Sequence, residues 1–325
     1  MEVISSGKGE FIAPDPDKFR DWVRTHKSRE LKSKLMSEHD AIAKFVSDGD
    51  SLVYDMNYAK RGPDALIREI IRQKKKDLWV STKYSFLEPS LLIVGGCVSR
   101  LDIGWFFHGS HGCKAIAEGK VKITEWSNSA LVHRMLAGAM GIPFMPVRYL
   151  GGTDIFEHSG AKIVKDPYTG MNIVLLPALN PDVALIHAYQ CDEYGNARIF
   201  GAGFSPTECA ACSKKVIIST EEIISNEDIR RAPGLTTIPH YLVDAVVHLP
   251  FGSYPGTVPG VYTLDPEAIM ELFLVDHGMA GDWDSYMDKW VYSVSSHFDM
   301  LEKRVTGKKL AELTMGEKVK EGFRA

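Results

Sequence analysis

Apolar positions along this chain follow two rhythms. From Asp50 onward, short runs that are apolar on both faces alternate with stretches spaced for helices. "SLVYDM" (residues 51–56) predicts a strand, and "GPDALIREIIRQ" a helix with Leu66, Ile67, Ile70 and Ile71 turned inward. "DLWVST", "RLDIGWFF", "VKITEW", "IPFMPVRY", "IVLLPAL", "DVALIHAYQ", "ARIFG", "KVIIST" and "VDAVVHLP" predict further strands. "EPSLLIVGG", "HGCKAIAEG" and "SNSALVHRMLAGAMG" predict helices between them. Doubly apolar strands interleaved with helices predict an α/β fold: an open, mostly parallel sheet with helices on both faces.

The ends read differently. Residues 1–14 read as a loose leader, and Asp15-Pro16 as an N-cap followed by a proline in the first turn. In the helix that follows, Phe19, Trp22 and Val23 share one face and the remainder is basic. Ser37 and Asp40 predict the cap of a second helix. "GGTDIFEHSGAKIVKDPYTGMN" (residues 151–172) reads as a long loop carrying Thr153 and Asp154, and "CDEYGNA" as a tight turn. The last fifty residues read as amphipathic helices. The expected layout is a helical extension over residues 1–36, an α/β domain over 37–265 and a C-terminal helical extension over 266–325.

Composition narrows the function classes. With 325 residues, 45% of them hydrophobic, the chain can bury a full core. A net charge of −4 gives no reason to expect nucleic acid or an anionic membrane as partner. No apolar run is long enough to span a bilayer, and the first residues lack the basic start and apolar region of a secretory signal. Five cysteines, an odd count, suit reduced thiols and a cytoplasmic setting. Cys209 and Cys212 form C-A-A-C, but no second pair or spaced histidines complete a zinc site; the segment reads as a helix packing small residues, and no metal is expected.

Three strand-to-helix turns carry polar side chains where ligands of open α/β sheets bind. The first, from Asp55 to Pro63, offers Asn57, Tyr58 and Arg61 beside a helix start whose amides favour an anion. Arg61 either clamps a carboxylate there or pairs with Asp55 and local backbone. The second, "FFHGSHGCK", places His108, Ser110 and His111 between glycines, either as a polar turn, as a nucleophile and base, or as two ligands of a metal, a weak signal without an acidic third ligand. In the third, "TEWSNSALVHRML", Ser127 caps a helix and Asn128 follows it. Together they predict one pocket for an acidic or carbonyl-containing small molecule.

"DAIAKFVSDGDSL", "AKRGPDALIREIIRQKKKDL", "AGAMGIPFMPV", "DVALIHAYQCDEYGNARIFG", "VIISTEEIISNEDIRR" and "VDAVVHLPFGSYPG" occur in an order that resembles the A subunits of family I CoA-transferases, the glutaconate enzyme among them. The resemblance runs from about Ser37 to Leu264. It implies a sheet of the CoA-transferase/ribose-isomerase-like type, coenzyme A as part of an acyl-CoA substrate, and a homologous B subunit in an α2β2 or α4β4 hetero-oligomer. It also implies a nucleophilic glutamate on that B subunit, in a Ser-Glu-Asn-Gly type motif that this chain lacks. The oxyanion would be met near Asn57 and Asn128, with Arg61 holding a substrate carboxylate.

Two departures from the family pattern stand out. Relatives commonly carry Gly-Gly-Phe or Gly-Gly-Trp at the end of the first strand, where this chain has Asp55, Met56 and Asn57; and Tyr254 stands where relatives often have histidine. Ring-opening hydrolases of similar fold carry a glutamate near the position of Asn128, and the amide here favours transfer. The alternative is hydrolysis, carbon–carbon cleavage or decarboxylation of a CoA thioester with Asp55 as acid or base. A DNA-binding sensor of the same sheet type is disfavoured, because residues 15–47 hold two helices without a tight glycine turn.

Overall fold

The computed structural model describes residues 2–106, 109–201 and 204–317. Its main sheet runs in the order Ala245–His248, Lys215–Ile223, Val183–Cys191, Ser51–Asp55, Leu78–Ser85, Val98–Phe106, Lys122–Glu125. All the pairings along that path are parallel. Two short strands complete it: Asn57–Tyr58 adds in parallel to Leu78–Ser85, and Ala197–Arg198 adds antiparallel to Val183–Cys191. The α/β class expected from the alternation is the one observed.

The period-2 rule of strands accounts for the two faces. Leu52 and Tyr54, Val183 and Leu185, Ile217, Ala245 and Val247 all enter one core, with Leu66, Ile67, Ile70 and Ile71 of the Asp64–Arg72 helix. Val53, Ala184, Ile186, Val216, Ile218 and Val246 enter the opposite core, with Met135, Cys209 and Cys212. Each strand is therefore buried on both sides, which is why it reads as a continuous apolar run. The C-terminal helices Pro266–Asp276, Trp283–Met287, Asp288–Tyr292, His297–Arg304 and Gly307–Gly316 join the first core through Leu272, Trp283, Trp290, Leu301 and Leu313.

A second sheet departs from expectation. Val3–Ser6, Lys162–Lys165, Asn172–Pro177 and Phe144–Val147 form a four-stranded antiparallel sheet in that order. The leader thus contains a strand, and the expected loop over 151–172 contains the Asp154–His158 helix and half of a hairpin. Asp166 builds the hairpin turn by accepting from the amides of Tyr168 and Thr169, and Gly170 takes the left-handed backbone (φ 72°). The sheet packs Val147, Val174 and Leu176 on Trp126, Ala130 and Leu131 of the main domain.

Helix starts follow the expected caps. The side chains of Asp15, Ser37 and Ser127 accept from the amides of Lys18, Asp40 and Ala130. In the "CDEYGNA" turn, Gly195 supplies the one positive φ, at 102°, and Asn196 instead donates its side-chain amide to Asp192. Among the described residues, no helix is long and apolar enough to cross a membrane.

Candidate functional site

The Ser51–Asp55 strand ends on a carboxylate with no exposure to water. Asp55 Oδ1 accepts from Lys83 Nζ at 2.7 Å and from the Ser205 amide at 3.0 Å, and Oδ2 accepts from Arg61. Lys83 also donates to Ser205 Oγ, and Arg61 Nη1 donates to the His187 carbonyl at 2.7 Å. Burial alone would raise the Asp55 carboxyl, but Lys83 and Arg61 outweigh it and hold Asp55 well below the usual carboxylate range. Of the two alternatives for Arg61, the geometry matches the pairing: it is 1% exposed, with its guanidinium spent on Asp55 and the His187 carbonyl. Asp55 accepts three hydrogen bonds, all of which favour its ionised form.

The turn spends its amides on its own chain. Asn57 and Lys60 exchange backbone hydrogen bonds at 3.2 and 3.1 Å, the Arg61 amide donates to Thr257 O at 2.7 Å, and the Ala65 amide to Gly252 O at 2.9 Å. The expected anion site at this helix start is therefore occupied by carbonyls of the 252–257 segment. The other turns behave alike: Gly109 N donates to Asp276 Oδ2 at 2.7 Å, and Ala130 N to Ser127 Oγ at 3.0 Å. In each of the three turns, then, the fold spends at least one amide on the chain itself.

What it builds at this edge is a row of rings. Pairing aligns Asn57 with Tyr84 and Tyr84 with Trp105 across three adjacent strands, near their carboxyl ends. Tyr58 lies 4.5 Å from Phe86, 5.8 Å from Tyr84 and 6.1 Å from Trp105 between ring centroids, and Tyr84 lies 4.6 Å from Trp105. Phe86 is buried, Tyr58 and Tyr84 are half-buried, and Trp105 is 37% exposed. Tyr58 and Arg61 both have left-handed backbone, with φ of 59° and 55°. Bulky residues thus occupy a bend whose conformation favours glycine.

Beneath Phe86, Asp64 and Glu88 share a buried enclosure with Arg68 and Pro255. Burial pushes Asp64 up to about 7 against the charge of Arg68. Burial, then the charge of Asp64, pushes Glu88 well above the ordinary range, and Glu88 donates to Asp64. Glu88 Oε2 also accepts from the Phe86 amide at 2.9 Å. Burial thus favours a proton held between the two carboxyls, and Phe86 lines the same enclosure.

The remaining candidates separate. Asn128 lies across the sheet from the row: a Cβ at Gly104, which points to the face opposite Trp105, would lie 2.3 Å from Asn128 Oδ1. Ser127 is spent on its cap. Ser110 Oγ lies 3.4 Å from the Asp276 carbonyl, to which it donates, and His111 faces the Trp283 ring, so both point to the C-terminal helices. His108 lies outside the described residues. Thr153 donates to the Leu150 carbonyl and, with the exposed Asp154, belongs to the smaller sheet's surface. Lys83, Ser205, Tyr84 and Trp105 were not among the expected site residues; "KYSF" and "GWFF", aromatic at strand ends, were the available signal. Both thiols of C-A-A-C are buried, and burial pushes Cys212 up to about 12 and Cys209 well above its ordinary value, which leaves them poor nucleophiles. Among the described residues, no group of three or more potential ligands is placed to hold a metal.

Comparison with known proteins gives this edge a context. Residues 35–249 match the sequence model of the family described as coenzyme A transferase. The A subunit of the glutaconate CoA-transferase of Acidaminococcus fermentans is 30% identical over 83% of this chain and 92% of its own. Its counterpart in the 3-oxoadipate CoA-transferase of Pseudomonas knackmussii is 31% identical over 72% and 85%. The crystal structure of glutaconate CoA-transferase superposes with a TM-score of 0.83 at 29% identity, covering 89% of this chain and 97% of that one. The decarboxylase AibA/AibB gives 0.68 at 29% identity, covering 76% and 96%. With about two thirds of its length inside the family's pattern and its sheet superposed on a solved member, the chain belongs to the coenzyme A transferase family, among its A subunits.

Proposed function

We propose that this chain is the A subunit of a heteromeric acyl-CoA:carboxylate CoA-transferase whose nucleophilic glutamate is supplied by a homologous B subunit. The observation that carries this reading is the state of Asp55. The one carboxylate at the end of the central strand is locked between Lys83 and Arg61, so the reactive carboxylate has to come from elsewhere.

In such a reaction the partner's glutamate attacks the thioester carbonyl, and the C–S bond breaks to give an acyl–glutamyl anhydride and CoA thiolate. The thiolate then attacks the glutamyl carbonyl, releasing the first carboxylate and leaving a glutamyl-CoA thioester. The acceptor carboxylate reverses both steps. This chain's part is to wall the acyl group with the ring row and to keep water from the anhydride. Treating the A–B complex with acyl-CoA and then borohydride should reduce one partner glutamate to an alcohol, detected by peptide mass spectrometry. No reduction and no CoA exchange would overturn the reading.

The likeness to AibA/AibB supports decarboxylation as a second reading. It requires a different proton donor from Asp55. Carbon dioxide release without CoA exchange would select it.

A further inference from the structure

We propose that Asp64 and Glu88 share one proton that staples together two helix starts at the carboxyl edge of the sheet, and that its loss in alkali parts them. The device does not depend on the reaction that this edge carries out.

The staple joins two neighbouring turns. The Ser51–Asp55 and Leu78–Ser85 strands pair in parallel, and each leads through a turn into a helix. Asp64 is the first residue of the Asp64–Arg72 helix, and Glu88 the first of the Glu88–Val94 helix. Glu88 donates to Asp64, so one hydrogen bond spans the two turns. Glu88 Oε2 also accepts from the Phe86 amide at 2.9 Å, and Asp64 Oδ2 from Ser253 Oγ at 3.4 Å. Two carboxyls bond to each other only when one of them carries a proton.

Charge balance selects the state with one proton. Asp64 and Glu88 are 6% and 5% exposed, and the enclosure they line has a volume of about 20 Å³, room for about one water. Among the described residues, Arg68 is the one cation lining it. With one proton on the pair, a single negative charge faces a single positive one. Removing that proton buries a second anion with neither water nor cation to receive it, and adding another leaves Arg68 uncompensated.

The surrounding groups leave this balance intact. Tyr54 and Tyr58 face Glu88, Tyr262 faces Asp64 and Tyr286 faces Arg68, and burial keeps all four phenols neutral. Glu38, the next carboxylate toward Arg68, pairs with Arg72 at 2.6 Å. His297, 3.2 Å from Arg68, is held neutral by burial and then by the Arg68 charge. Burial accordingly lifts Asp64 to about 7, and burial with the charge of Asp64 lifts Glu88 well above the ordinary range.

The test is urea unfolding of the full chain across pH. Glu88→Gln keeps a donor toward Asp64 and needs no proton for it, so it retains the staple without the switch. The unfolded chain gives up both protons above about pH 4, whereas the folded chain keeps one. Stability from the shared proton is therefore full at low pH and fades as pH rises toward the folded values. The ratio of wild-type to Glu88→Gln unfolding constants should rise about tenfold per pH unit between about pH 5 and about pH 7. Glu302→Gln, at an exposed position, should run parallel to wild type. Amide exchange, corrected for its intrinsic pH dependence, should be faster at about pH 10 than at about pH 6 in wild-type peptides spanning residues 57–66 and 84–91, and unchanged there in Glu88→Gln.

Parallel unfolding curves for wild type and Glu88→Gln overturn the shared proton. Exchange that accelerates equally along the whole chain, or in neither turn, overturns the staple. If Glu88→Gln does not fold, the infrared spectrum of the wild type decides. A protonated-carboxyl band present at about pH 6 and lost at about pH 10 upholds the proton, and its absence at about pH 6 overturns it.

Discussion

A carboxylate withdrawn from water stays ionised only where opposite charge is built beside it, and Asp55 has two such charges at hydrogen-bonding distance. Asp55→Asn would leave Lys83 and Arg61 buried beside each other without compensation. We expect a loss of about 3–5 kcal/mol in urea unfolding at pH 7. Because the folded carboxyl lies below its unfolded value, its contribution is full above about pH 4 and fades as pH falls toward the folded value. The gap between wild type and variant should therefore narrow progressively below about pH 4. A variant with normal stability but little activity would instead make Asp55 a proton carrier. The Asp55–Arg61 pairing was legible as one of two alternatives, since six positions of a single turn separate them. Lys83 and Ser205 lie 28 and 150 residues from Asp55, and nothing local connects them before the sheet is assembled.

Among the elements, the Asn128–Met140 helix packs its first residue against Gly104 of the Val98–Phe106 strand. A methyl group there would fall 2.3 Å from Asn128 Oδ1 and 2.9 Å from its backbone. Gly104→Ala should push the helix start away from the sheet, lowering stability by about 1–3 kcal/mol in thermal or urea melts. Helices and parallel strands were readable because their periods and caps are local: Asp15, Ser37 and Ser127 each cap within three residues. In the antiparallel sheet only Phe144–Val147 and Asn172–Pro177 were legible as strands, and their pairing was not. Three of its strands are only four residues long, and Val3–Ser6 is exposed throughout, so no alternation separates that strand from a polar leader. Its pairing with Lys162–Lys165 is a long-range event that a local pattern does not encode.

Over the whole molecule, the C-terminal helices are part of the main core. His297 donates its amide to Glu38 and contacts Arg68, and Asp276 holds the Gly109 amide at the start of the Ser110–Ala117 helix. Ending the chain at Asp265 would expose the neighbours of Leu272, Trp290 and Leu301 and unsatisfy those donors. We expect such a truncation to lose its cooperative melt and to elute as aggregate on size exclusion. An unchanged melt would place these helices outside the folding unit. The family was readable from six ordered blocks of sequence, whereas the ring row was not. Its rings come from three strands, and neighbouring strands become neighbours only after folding.

The ionic lock around Asp55 also bears on descent. Arg61 and Lys83 keep only the neutral acceptors His187 O and Ser205 Oγ once the aspartate is gone, so a lone replacement at any of the three positions leaves buried charge uncompensated and passes through a destabilised intermediate. Lineages that diverge here should exchange the three together or none, so this trio marks ancestry better than the exposed helices around it.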